Sequence, residues 1–425
     1  MPAPGARTCL ERSPAARRGS SGAAYTRLPM IRILYLIDTF FGPVGGTENQ
    51  ILRMIRRLDR RRFEVHLLSL QHSPWLEKAE IPCPVHTATF RSYFGLDYFR
   101  FRRQFLALCR EKRFDIVQTF FRDANILGVH LGRKAGVPVL VSSRRNIGAG
   151  YWHTWFQVRL LRHLAQYTQH YIANSQAAAE EAIRVEQVPR RRVSVIPNCL
   201  DSSLYGVVDP GVRRETRAAW GIPAEALVVG AVANLRPVKN LPFLVHAARR
   251  VAERVPQAHF VVLGDGPQRE ALEVSVRDLG LQHRFLFPGA SAQVARELGA
   301  FDVSVLCSKG ESSPNAVLEY MAAGRASVVP DVGGCSELIE SGVHGFVYPS
   351  GNEEVFVERV VELLQDPERR QLLGERARQK VRERHDCTAV IPRLEELYET
   401  LVRNGAGTAP PQPAVSGAVG PTALQ

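Results

Sequence analysis

Long apolar runs are missing from this chain. No stretch approaches the roughly 18 to 20 consecutive apolar residues that a membrane-spanning helix needs. Residues 1–29, rich in Ala, Arg, Gly, Pro and Ser, lack the continuous apolar core of a secretion signal. They read as a disordered tail or an upstream-start artefact, because Met30 opens the first strand pattern. Charge is missing after Arg403, and the Gly/Pro/Ala-rich end, residues 404–425, also reads as disordered. Paired cysteines are missing too. The seven (Cys9, Cys83, Cys109, Cys199, Cys307, Cys335, Cys387) are scattered, with no CxxC. An odd, dispersed set argues for a reducing compartment and against a disulfide framework or zinc site. The twelve histidines show no HExxH or comparable spacing, so no structural metal is expected. No Gly-x-Gly-x-x-Gly follows the strand pattern Ile31–Ile37, which disfavours a nicotinamide oxidoreductase.

What is present is enough chain for two domains. At 425 residues it exceeds one ordinary domain, and 45% hydrophobic with 23% charged residues is a soluble globular composition. The net charge of +13 is uneven. Residues 1–29 hold five Arg and one Glu, residues 30–205 hold 26 Lys/Arg against 14 Asp/Glu, and residues 206–425 hold 24 against 27. A basic first half can attract phosphates, anionic lipid or nucleic acid, and it can equally be a solvated Arg-rich surface. No nucleic-acid recognition motif accompanies it, so no nucleic-acid partner is expected.

Short β-branched runs alternate with helical patterns along both halves. In the first half the strand patterns are Ile31–Ile37, Phe63–Leu70, Ile116–Thr119, Val137–Ser142, His170–Asn174 and Val193–Pro197, with a glycine turn Gly42–Gly46 and a helix Thr47–Leu58. A polar, Pro- and Gly-containing break covers Asn198–Ile222. The second half restarts with Ala226–Ala233, Ala258–Gly264, Arg284–Phe287, Val303–Cys307, Ala326–Pro330 and Gly345–Tyr348. Such alternation predicts an α/β fold of two facing Rossmann-like doubly wound domains, residues 30–205 and 206–385, with a cleft between their carboxyl edges. The helical patterns Pro367–His385 and Ala389–Arg403 are long enough to cross back, which sets residues 386–403 apart as a helix returning to the first domain.

The segment Glu311-Ser-Ser-Pro-Asn-Ala-Val-Leu-Glu319 follows a buried-strand pattern. Ser313 suits an N-cap and Pro314 the first helical position. Glu311 then stands in the loop, and Glu319 lies about 7.5 Å along the helix. Loop amides and the helix dipole between them favour an anion. Two carboxylates bracketing such a start can hold the hydroxyls of a phosphorylated sugar and a ribose; a surface Glu and a helix-stabilising Glu explain the spacing as well.

Other segments stand around it in order: Gly45-Gly-Thr-Glu48, Val195-Ile-Pro-Asn-Cys-Leu-Asp201, Val232-Ala-Asn-Leu-Arg-Pro-Val-Lys239, Gly264-Asp-Gly-Pro267, Met321-Ala-Ala-Gly324, Val332-Gly-Gly-Cys-Ser-Glu337 and Gly342–Gly345. Together with Glu-x7-Glu they resemble the retaining GT-B glycosyltransferases of the group 1, family 4 type. The resemblance covers roughly residues 30–403 and is strongest over 226–350. It implies a sugar-nucleotide-dependent glycosyltransferase, with the nucleotide sugar as co-substrate and no cofactor or metal. It implies that Arg236 and Lys239 neutralise the donor diphosphate as it leaves. It implies that Glu311 binds donor-sugar hydroxyls, that the Asn315 and Ala316 amides lie near the phosphate, and that Glu319 accepts from the ribose. Gly45 and Gly46 would let first-domain backbone approach the diphosphate, and the base would rest on backbone near Phe287–Gly289. Retaining members of the family need no enzyme nucleophile, since donor phosphate helps deprotonate the acceptor on the same face.

The chain departs from the family in three places. Asn234 stands where the arginine is often found, two positions before Arg236. Ser312-Ser313 replaces the usual Gly-Phe. The familiar first-domain histidine is absent, with Gln118–Asp123 and Ser143-Arg-Arg-Asn146 at the comparable strand ends. Arg144, Arg145 and Asn146 are acceptor-side candidates, or simply a solvated basic loop; nearby His153 reads as structural or exposed. Tyr151, Trp152, Trp155 and Phe156 interleave with Arg159 and Arg162, beside a clustered Arg53–Arg62. These fit a lipid interface on the inner face of the cell membrane, or a helix packed on the core. The expected partners are a nucleotide-sugar donor, a glycan or lipid-linked acceptor and an anionic membrane, in the cytoplasm. A sugar-nucleotide epimerase, which would need first-domain acid/base carboxylates, and a non-catalytic sugar-nucleotide sensor are the alternatives.

Overall fold

The computed structural model describes residues 30–42, 45–147, 154–206 and 209–405. The expected tails, Asn404 and Gly405 apart, lie outside the described residues, as do Tyr151, Trp152 and His153. The β-branched runs form two all-parallel sheets. The first contains β1 (Ile31–Ile37), β2 (Phe63–Ser69), β3 (Val85–Thr87), β4 (Ile116–Phe120), β5 (Val139–Arg144), β6 (His170–Ala173) and β7 (Val193–Val195), in the order β3-β2-β1-β4-β5-β6-β7. The second contains β8 (Leu227–Val232), β9 (Ala258–Leu263), β10 (Phe285–Gly289), β11 (Val303–Val305), β12 (Ala326–Pro330) and β13 (Gly345–Tyr348), in the order β10-β9-β8-β11-β12-β13. β3 has no counterpart among the expected strands: three half-buried residues are too short to show a period of two.

Both sheets are buried on both faces, as parallel sheets must be when helices cover each side. Separate apolar clusters line the two faces of each sheet: Ile33, Tyr35 and Ile37 of β1 face one way, Leu34 and Leu36 the other. In each sheet the strand order reverses beside the first strand, at β1/β4 and β8/β11. Ligand crevices of doubly wound sheets open at that switch point, outside the carboxyl ends of the strands.

The chain crosses between sheets twice. It leaves β7 through Pro197–Leu200 and returns near Asp386, where Leu200 pairs with Asp386 as an isolated bridge. The final helix, Cys387–Asn404, then lies on the first domain. Its stripe Val390, Ile391, Leu394, Leu397, Tyr398 and Leu401 repeats at three and four residues and joins the core beneath β1. The Tyr398 hydroxyl meets that of Tyr35 at 3.0 Å and donates to Gln118. Cys199 and Cys387, 188 residues apart in sequence, bring their sulfurs to 3.2 Å at the crossing.

Candidate active site

The cleft wall of the second domain includes the loops that follow β8 and β11. After β8 the chain makes a short 3₁₀ turn, Pro237–Lys239, closed by Asn240 in the left-handed region. The turn carries Lys239 to Glu311 in the loop after β11, and Nζ donates to Oε1 at 2.5 Å. The backbone supports this pairing, since the Lys309 amide donates to the Val238 carbonyl at 2.9 Å. The Lys239 and Glu311 side chains are 25% and 11% exposed, so the ion pair is partly desolvated but open to a ligand. Arg236 is exposed. It faces Glu48 of the first domain, whose carboxyl burial pushes up against the opposing pull of a backbone bond and Arg236.

The helix after Glu311 starts one residue later than expected. It spans Asn315–Ala322, with Pro314 at the N-cap, and no side chain caps it. Ser313 therefore does not serve as the cap, because proline at φ −71 and ψ 114 already turns the chain into the helix. An uncapped start keeps first-turn amides available to an anion.

Glu319, about one turn along, is enclosed by the first domain's Arg53, whose Nη2 lies 4.0 Å away, and by the Tyr205 hydroxyl, which bonds to it. Burial raises the Glu319 carboxyl to about 7, opposed by Arg53 and Tyr205. Neither partner was among the expected site residues. Arg53 had a readable signal, since Gly46, Gln50 and Arg53 fall at i, i+4 and i+7, one face of the helix Gly46–Arg57.

That face meets the second domain through Asn315. The Asn315 amide group donates to the Gly46 carbonyl at 3.0 Å, and its oxygen accepts from Gln50 at 3.2 Å and Asn198 at 2.8 Å. Its side chain is thus a domain bridge, and only its backbone amide remains for the helix start. A Cβ on Gly46 would lie 3.2 Å from the Asn315 side-chain nitrogen, and one on Gly45 would overlap the Glu48 carboxylate. Gly46 serves close approach between domains, and Gly45 leaves room for Glu48 of its own helix; neither has a positive φ.

The acceptor-side candidates divide. Arg144 is committed to Glu186 by a bidentate pair, Nε–Oε1 2.7 Å and Nη2–Oε2 2.5 Å, and lies over the Tyr171 ring. Arg145 donates to Asn198 at 2.5 Å, and burial lowers its guanidinium to about 10. Both side chains are thus tied to protein partners rather than standing free in a solvated loop, because β5 continues through Arg144. Asn146 remains exposed beyond the end of β5.

Comparison with known proteins places this geometry in context. The model of Glycosyltransferase Family 4 matches residues 44–204, and that of Glycosyl transferases group 1 matches residues 212–380. The chain is 26% identical over 384 residues to the UDP-Gal:alpha-D-GlcNAc-diphosphoundecaprenol alpha-1,3-galactosyltransferase of Escherichia coli, covering 85% of this chain and 95% of that protein. It is 28% identical over 216 residues to the N-acetyl-alpha-D-glucosaminyl L-malate synthase of Bacillus anthracis, covering 51% of this chain and only 56% of that relative. Among solved structures, Anabaena HepE in complex with UDP superposes with a TM-score of 0.78 at 24% identity, over 87% of this chain and 100% of that one. Sucrose-phosphate synthase from Thermosynechococcus elongatus gives 0.76 at 18%, over 88% and 100%. At these identities the structures speak for the fold. With one glycosyltransferase model on each domain and the two-sheet cleft architecture shared with these structures, the chain belongs to the GT-B glycosyltransferases.

Proposed function

We propose that the enzyme moves a sugar from a nucleotide-sugar donor to a hydroxyl of a glycan or lipid-linked acceptor, with retention and without metal. The observation that carries this is the Glu311–Glu319 span. Two carboxylates, each facing a cation from another element, stand on either side of an uncapped helix start in the cleft. Arg236 and Lys239 would take the charge that develops on the departing diphosphate, the role a metal plays elsewhere. Glu311 would accept from sugar hydroxyls and Glu319 from the ribose. UDP is the nucleotide to test first: HepE was solved with UDP and with UDP-glucose, and the Escherichia coli relative is named for UDP-Gal. The test is a screen of UDP-, GDP- and ADP-sugars by thermal shift, because a ligand that binds the folded state raises its apparent stability. Proton NMR of the product formed in excess EDTA follows. An inverted anomeric configuration, or activity lost with EDTA and restored by a divalent cation, defeats the corresponding half of the proposal.

The Glu319 carboxyl supplies a pH signature. Hydroxyls donating to it favour its charged form, so nucleotide binding lowers a pKa of about 7 and releases a proton. UDP affinity is therefore expected to rise between about pH 6 and pH 8, and Glu319→Gln to flatten the rise. Calorimetric titration in buffers of different ionisation enthalpy reads both the affinity and the proton release.

Acceptor access is proposed to run along a membrane surface. Among the described residues no helix is long and apolar enough to cross a bilayer. In the Arg53–Arg62 cluster Arg53, Arg57, Arg61 and Arg62 face Glu319, Asp201, Asp59 and Glu395/Glu399, while Arg56 and Arg60 stay exposed. Trp155 and Phe156 are 75% and 62% exposed, so core packing does not account for them. Phe94, Leu96 and Phe99 are more telling at 87%, 71% and 60%. Both groups lie at starts of helices that follow parallel strands, hence on the carboxyl edge of the first sheet, with exposed Arg100, Arg103 and Arg159 on the same helices. Aromatics at an edge with arginines behind suit an anionic bilayer. Phe94→Ser with Phe99→Ser is expected to lower partitioning onto phosphatidylglycerol vesicles about tenfold in co-sedimentation while UDP affinity is kept. Equal partitioning would reject this face.

A further inference from the structure

Among the described residues, two hydrogen-bonded seams between the domains stand beside the donor-site loop. One is the Asn315 bridge to Gly46, Gln50 and Asn198. The other lies beside Glu311 and uses residues outside the donor site. There the first domain offers Asn174, Ser175 and the start of the helix Gln176–Glu186, and the second offers Ser312 and Glu337. The Ser312 hydroxyl donates to the Asn174 side-chain oxygen and lies 3.4 Å from the Ser175 hydroxyl. Ser312, Asn174 and Ser175 are 6%, 4% and 3% exposed, so these are enclosed contacts. Glu337 accepts the amide hydrogens of Gln176 and Ala177, each at 2.8 Å, while Ser175 caps Ala178 at 3.1 Å. Three first-turn amides of a first-domain helix are thus satisfied, two by a carboxylate from the other domain at the positive end of the helix dipole.

Ser312 is the chain neighbour of Glu311, and the loop they share is held from behind. The Gly334 amide donates to the Glu311 carbonyl at 3.2 Å. A Cβ on Gly333 would overlap the Glu311 carbonyl oxygen, and one on Gly334 that of Ser312. The same Gly333 position is 3.0 Å from Ile147 of the first domain. The Glu311 loop is therefore pinned between a glycine turn of its own domain and the Asn174–Ser175 shelf of the other.

We infer that Asn174, Ser312 and Glu337 form a latch that couples closure of the two domains to the placement of Glu311. These three are positioning residues; none touches the donor. The inference rests on the reading of Glu311 as the donor-sugar carboxylate. Closure completes the seam and brings Glu311 into register, whereas the nucleotide pocket around Lys239 and Glu319 lies outside it. Releasing the latch should then cost turnover and spare nucleotide affinity.

The test is the double variant Ser312→Ala/Glu337→Ala in the full chain, with Glu337→Gln, which keeps one acceptor oxygen, as partial rescue. With whichever UDP-sugar the unaltered enzyme turns over, kcat is expected to fall about 10²-fold in the double variant and to an intermediate value in Glu337→Gln. The Kd for UDP should stay within about twofold, and solution X-ray scattering should show a larger radius of gyration. Unchanged kcat overturns the latch, as does a parallel loss of kcat, UDP affinity and melting temperature, which would mark a merely structural seam. If the unaltered enzyme turns over no UDP-sugar, the reading of Glu311 fails instead, and scattering alone decides the latch: an unchanged radius of gyration rejects it.

Discussion

Lys239→Ala is expected to lower kcat by about 10² to 10³, the loss that follows removal of one preorganised group stabilising developing charge. Two effects add in the same direction. The ammonium that would meet the departing diphosphate disappears. So does the partner of Glu311, whose side chain is only 11% exposed and accepts from Lys239 at 2.5 Å. A desolvated carboxylate left unpaired loses the cation that holds it in place to accept from sugar hydroxyls. The two effects separate in a double-mutant cycle with Glu311→Gln, because residues in direct contact are not additive. If Lys239 acts only through Glu311, the double variant is no worse than Glu311→Gln alone. If it also acts on the diphosphate, the double variant loses further activity. Steady-state kinetics with the donor found by the thermal-shift screen gives both numbers, and a melting curve shows that the fold survives. Wild-type kcat in Lys239→Ala would mean that the leaving group is stabilised elsewhere, with Arg236 first to be examined.

The second domain was more legible than the first for a physical reason. Its strands β12 and β13 coincide with the sequence patterns Ala326–Pro330 and Gly345–Tyr348, since buried parallel strands bounded by glycine or arginine leave a sharp apolar signature. Its donor-side residues are local in sequence: Lys239 and Glu311 each close a strand-to-loop junction, where doubly wound sheets place ligands. What the sequence hid is pairing at long range. Tyr205 and Arg53 meet at Glu319 from positions 114 and 266 residues away in the numbering; helical spacing puts Arg53 on the face of Gly46 and Gln50 but does not say which residue that face meets. Charge pairing is hidden in the same way: the fold brings Glu319, Asp201, Glu395 and Glu399 to Arg53, Arg57 and Arg62 of the basic run, while Arg56 and Arg60 stay exposed. Charge counts describe a segment, whereas the field at a surface depends on which charges the tertiary structure pairs. Ser312, a departure from the family's usual Gly-Phe, became interpretable only once Asn174 was found opposite its hydroxyl.

Gly333→Ala is expected to cost the second large loss, at least about 10² in kcat/KM, through a single methyl group set against the Glu311 backbone. Gly333 has φ 51, in the left-handed region, where an L side chain costs roughly 1 kcal/mol. That strain alone would lower the melting temperature by a few degrees, about 2–4 °C per kcal/mol in a domain of this size. The greater effect is steric. The added Cβ would overlap the Glu311 carbonyl oxygen and lie 3.0 Å from Ile147, so neither the loop nor the facing domain leaves room for it. The easiest relief is to push the Glu311 loop towards the cleft, which moves the carboxylate off the sugar. Gly351→Ala is the matched control. Its φ of 84 carries comparable strain, but nothing stands within 4 Å of the added atom. The control is expected to lose stability and keep its activity, while Gly333→Ala loses both. Equal kinetics in the two variants would show that backbone strain, not displacement of Glu311, is all that the glycine at 333 avoids.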